Sequence, residues 1–238
     1  MNLVNQINQY LKVFLTEPLD ERSLSEIQQL LFTAIEKSSP VELITAISML
    51  EPRIDYLDRE LNARELELTS RNSKLNTDSA DFDQIAKDRG ISRGELLVAL
   101  GNKINEIKAK QEKQYNSACV LRAWLGNLKV AIQKKLATLS EGEKLQLYDE
   151  LNMVVVQNEE QMNLLDNEIA HRELQTDEEI QQTATKNGKT FNQVKYGIEF
   201  EIMQKKMEIS TLEAQNNVIS RYQTPLVPNN SDELRKPR

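Results

Sequence analysis

Apolar residues recur at steps of three and four through most of the chain, the spacing of one face of an α-helix. Leu3, Val4, Ile7, Leu11, Phe14 and Leu15 predict a first helix over about 2–16, ended by Pro18. A second begins near Ser23 and carries Ile27, Leu30, Leu31, Ala34 and Ile35. Ser39, Pro40 and Glu42 read as an N-cap, a first helical proline and the returning carboxylate of a capping box. They open a long helix to about residue 73 with Ile44, Ile47, Ile54, Leu57, Leu61 and Leu68 on one side and a kink expected near Pro52, which lacks an N–H donor.

From Leu97 the seam Leu100, Ile104, Ile107, Gln111, Gln114, Ala118, Leu121, Leu125, Leu128, Ile132 keeps coiled-coil spacing, interrupted only by its two glutamines. A helix over 93–137 would span roughly 65–70 Å at about 1.5 Å per residue. Ser140 with Glu143 opens the next helix, faced by Leu147, Leu151, Val154, Val155, Met162, Leu165 and Ile169. The last helix is faced by Phe191, Val194, Ile198, Ile202, Ile209 and Leu212, and the proline- and asparagine-rich run after Tyr222 ends it.

A duplication lies inside this pattern. Residues 57–66 (LDRELNAREL) return as 165–174 (LDNEIAHREL), six of ten positions being identical. Downstream, Ala86 to Leu96 aligns with Ala184 to Val194 as a physical pattern: a short helix, a glycine, a capping box, then a long helix. Gly90 and Gly188 fall just past a helix end, where positive φ costs glycine least. Ser92 with Glu95, Thr190 with Gln193, and Thr176 with Glu179 are the boxes. The expected fold is therefore all-α, an elongated coiled-coil-like helical bundle with an internally duplicated long helix, short helix, long helix unit. Its expected parts are an N-terminal helical pair (1–38), a first hairpin repeat (39–138) with a corner at 83–100, a second repeat (139–221) and a disordered tail (222–238).

Composition agrees with long helices that each bury one stripe. Only 39% of the 238 residues are hydrophobic and 5% aromatic, with 7 glycines and 6 prolines. The net charge of −7 is uneven: residues 1–79 carry −5, 80–138 carry +5 and 139–190 carry −8. Such zones can pair within the chain or between subunits, or the basic one can face an acidic partner. The single cysteine, Cys119, excludes an internal disulfide, and a buried or half-buried thiol is its expected setting. With no apolar run long enough to span a bilayer and no signal-peptide pattern at Met1, the expectation is a cytoplasmic chain with no membrane role.

Residues 84–100 (QIAKDRGISRGELLVAL) resemble the helix-turn-helix of transcriptional regulators: Ala86 is the small first-helix residue, Gly90 the turn, Ile91 its anchor, and Leu96 packs back. The resemblance implies a second helix in the major groove and a dimeric protein. It nominates Ser92, Arg93 and Lys103 to face DNA, with Lys87 and Arg89 near the backbone. A purely structural corner and a peptide-binding corner are the other readings.

No catalytic constellation, metal site or cofactor site is expected. His171 is the only histidine, so the Glu-x-x-His spacing of Glu168 and His171 has no second copy within the chain. The glycines at 90 and 94 lack the preceding strand and the lysine of a phosphate loop. Tyr115 and Trp124, on the long basic helix, are candidate partner anchors, with ordinary burial as their alternative. The sequence thus points to a non-catalytic scaffold, adaptor or assembly factor that acts through a protein partner or as a homo-oligomer. A coiled-coil DNA-binding protein using the corner is the alternative.

Overall fold

The computed structural model describes residues 3–7, 9, 29, 31–75 and 80–226, apart from the side chains of 74–75 and 80–82. All regular structure among them is helical: α1 (Pro40–Leu75), α2 (Ala80–Asp88), α3 (Arg93–Leu136), α4 (Glu141–Glu173), α5 (Asp177–Lys186), α6 (Phe191–Gln223) and a closing 3-10 turn, Thr224–Leu226. Residues 3–7, 9, 29 and 31–37 are also helical. The rest of the predicted N-terminal pair lies outside the described residues.

Each predicted capping box forms, which is why the helices start where they do. Backbone N–H groups of Glu42, Glu95, Glu143, Glu179 and Gln193 donate to the hydroxyls of Ser39, Ser92, Ser140, Thr176 and Thr190 at 3.2–3.4 Å. The side chains of the same five residues accept from the cap backbone N–H groups at 2.7–3.0 Å. Each box satisfies two N–H groups that the first helical turn leaves without a partner.

The two corners close alike. Gly90 has φ +65 and Gly188 φ +63, and no other described residue has positive φ. Ile91 N–H donates to Ala86 O and Gly90 N–H to Lys87 O; Lys189 N–H donates to Ala184 O and Gly188 N–H to Thr185 O. These are the paired bonds of a Schellman motif, and they require the left-handed residue at the glycine.

The chain divides into two compact units, the divisions falling after Pro52 within α1 and after Asn127 within α3. In the unit formed by 1–5, 33–52 and 128–238, the first turns of α1 are the most enclosed segment. Leu43, Ile44, Ala46, Ile47 and Leu50 have no exposed surface, and Ser48, also buried, donates its hydroxyl to Thr45 O at 2.8 Å. A helix apolar over that wide an arc must be covered on several sides. Glu51 pairs with both Lys129 and Arg221, joining α1, the end of α3 and α6. Within this unit α4 and α6 form an antiparallel hairpin with α5 across its corner. Leu147, Leu151, Leu165 and Ile169 of α4 and Leu212, Val218 and Ile219 of α6 are buried.

In the unit formed by 6–32 and 53–127, α1 and α3 run antiparallel: Asp58 pairs with Arg122, Gln111 donates to Glu65, and Leu68 packs on Ile104 and Ile107. At the corner, Ala86 and Leu96 pack with Ile91, Leu97 and Leu100. The duplicated hairpin is thus present, with a long, a short and a returning long helix in each copy.

Two expectations change. The helix continues to Gln223, and Leu226 of the following turn is buried, so 222–226 are ordered; 227–238 lie outside the described residues. Cys119 is exposed, because the seam turns its neighbour Ala118 inward instead.

Candidate protein interface on the last helix

The inner face of α6 packs mainly on α4, with α5 against it at the corner. Asn158 and Asn216 share a hydrogen bond at 2.7 Å, as do Gln223 and Asn152 at 2.7 Å and Gln161 and Glu208 at 2.8 Å. Nearer the corner, Arg172 pairs with Glu201 at 3.1 Å, Lys206 with Glu173 at 2.9 Å, and Lys205 with Glu168. The ammonium of Lys205, by hydrogen bond and charge, holds the Glu168 carboxyl below the usual carboxylate range. These polar contacts flank Ile198, Ile202, Ile209 and Leu212 and fix the register of the hairpin.

At about 100° per residue, Tyr196, Phe200, Met203 and Met207 fall on the opposite face. Their exposures are 69%, 55%, 49% and 53%, and their steps of four, three and four make a continuous row. Taking about 200 Å² for each large side chain, the row exposes roughly 450 Å² of mostly apolar surface. Scattered single apolar residues are ordinary on a protein surface, whereas a contiguous patch of this size is as large as the largest on a typical monomer, and such patches are often functional. Further along, the same row reaches Ala214, half-buried, and Val218, buried, on the side where Glu51 crosses to Arg221. Tyr222, in the same place, has its phenol pushed up by burial and by the Glu51 carboxylate. The row is therefore covered at one end of α6 and open at the other.

The residues nominated from sequence are spread over α2 and α3. Trp124 is 3% exposed, while Tyr115 is 56% exposed. Burial, the alternative weighed for both aromatics, thus describes Trp124 only. At the helix-turn-helix-like corner, Lys87 and Arg89 are exposed, and Ser92 is occupied by its capping box. Arg93 lies 3.6 Å from Asp83, and Lys103 pairs with Glu106 at 3.0 Å. The Glu95 carboxyl, at the start of the would-be recognition helix, is held below its usual range by the Ser92 backbone and hydroxyl. An ionised carboxylate there opposes approach of a phosphate backbone.

His171 is exposed and lines an open groove with Glu168, Arg172, Glu201 and Lys205, whose charges already pair with one another. Among the described residues no three His, Cys, Asp or Glu side chains are placed to hold a metal ion, and no helix is long and apolar enough to cross a membrane.

The open row on α6 went unnoticed in the sequence because one apolar face already explained that helix. The signal was there: two apolar series half a turn apart in a single helix mean two covered faces. Comparison of the chain with protein-family models, curated proteins and solved structures gives no match.

Proposed function

We propose that the chain is a non-catalytic helical scaffold or adaptor that works by presenting the outer face of α6 to a protein. The observation that carries this is the open row Tyr196, Phe200, Met203 and Met207 on a helix whose other face is pinned by the α4 hairpin. Aromatic and methionine side chains are the types enriched in interface cores. The antiparallel helix behind them holds the row in place, so little ordering is lost on binding.

The test is a photo-crosslinking amino acid at position 196 in the protein expressed in its native cells. A discrete crosslinked species is expected, and it should disappear when Met203→Glu is added. A crosslinker at the exposed Glu178 of α5 measures background. Labelling at 196 no stronger than at 178 refutes the assignment.

A further inference from the structure

We propose that the occupant of the α6 row is α6 of a second copy of this chain, packed antiparallel about a two-fold axis between Phe200 and Met203; this rests on the reading of the row as a protein interface.

Continuity is the first argument. The row is one stripe, open from Tyr196 to Met207 and buried at Val218, one turn before the Arg221 that pairs with Glu51. The open part needs an apolar helix face as cover, and the row itself is such a face. A two-fold contact uses one patch twice. The row alone then removes roughly 900 Å² in total, and its flanks bring the contact above the roughly 1,000 Å² that a specific interface requires.

The flanking charges select the orientation. One flank carries Glu199 and Lys206, the other Gly197, Gln204 and Thr211. In a parallel pair each flank meets the opposite flank, and Glu199 and Lys206 face only neutral residues. In an antiparallel pair like flanks meet, so Glu199 faces Lys206 of the other copy twice, and the neutral flanks meet each other. No ion pair holds Glu199 among the described residues, while Lys206 is held only by an exposed pair with Glu173, which leaves it free to be shared. The side-chain layers agree: antiparallel packing sets Phe200 against Met203 and Tyr196 against Met207, aromatic on sulfur in every layer, a favourable contact.

The experiment is the solution mass of the full chain by light scattering over a micromolar range, with four variants. The wild type should weigh twice the 27.4 kDa of one chain. Phe200→Glu should shift the mass to one chain with an unchanged helical circular dichroism signal, since Phe200 faces solvent in the single copy. Glu199→Lys should weaken the dimer at least tenfold and Lys206→Glu likewise, and the two together should restore it. A dimer unmoved by Phe200→Glu, or charge variants that do not compensate, overturns the proposal. So does a monomeric wild type. If that monomer still gives the crosslinked species at 196, the scaffold reading survives without the second copy; if it gives none, both fail.

Discussion

Replacing Gly188 by alanine isolates the energy of the corner turn. An ideal Cβ at this position meets no atom within 4 Å, so sterics against the surroundings contribute nothing. What remains is φ +63, a conformation that costs a residue with a Cβ about 1–2 kcal/mol. Against this, alanine restricts the unfolded chain and recovers about 0.4–1 kcal/mol. Gly188→Ala should therefore destabilise by about 1 kcal/mol, and Gly90→Ala at φ +65 by the same amount. Gly126 is the control: it lies within α3, exposed, and its added Cβ also meets nothing within 4 Å. There the helical conformation suits alanine, and stabilisation by about 0.5–1 kcal/mol is expected. The assay is urea unfolding followed by helical circular dichroism, read as midpoint shifts at constant slope. Shifts of the same sign for Gly188→Ala and Gly126→Ala would refute the left-handed turn as the basis of the corner.

Two further outcomes follow from the polar contacts. Carboxyls of Glu95, Glu143, Glu106 and Glu168 are held below the usual carboxylate range, the first two by their capping serines and the others by Lys103 and Lys205. Their folded pKa values lie below the unfolded ones, so their stabilisation is complete above the unfolded value and is lost as pH falls through the folded values. Urea midpoints should thus hold steady near neutrality and drop below about pH 4.5. Glu143→Gln should flatten part of that drop while keeping the cap, as Gln193 already does at Thr190; an unchanged pH profile would count against the assignment. In the hairpin seam, Asn158→Ala strands Asn216 and should cost about 1–3 kcal/mol. Asn158→Leu with Asn216→Leu should recover most of it, and a double variant as unstable as the single one would rule out the pair as the source.

The seam of α3 was fully legible in the sequence. Leu100, Ile104, Ile107, Ala118, Leu121, Leu128 and Ile132 are buried or half-buried, and Gln111, half-buried in the same seam, reaches Glu65. Legibility failed where one residue type fits two settings. Trp124 and Tyr115 share a helix and a chemical character, yet one is enclosed and the other exposed, because burial depends on which neighbour covers a given stretch. The helix-turn-helix-like corner has the same ambiguity, since its glycine, cap and apolar anchors serve any helical corner. Gly188, with Thr190 and Gln193, builds the same turn with Thr185, Asn187 and Phe191 where the first corner has Lys87, Arg89 and Arg93.

Helix type, starts and corners were determined by the sequence alone, because periodicity, caps and positive-φ glycines act within a few residues of one another. Which apolar face meets another helix is a long-range matter. Asn158 finds Asn216 and Glu51 finds Arg221 only once the helices are side by side, 58 and 170 residues apart along the chain. Only that tertiary arrangement assigned one apolar series of α6 to the hairpin seam and left Tyr196, Phe200, Met203 and Met207 facing outward, since both series have the spacing of a buried face and nothing local separates them.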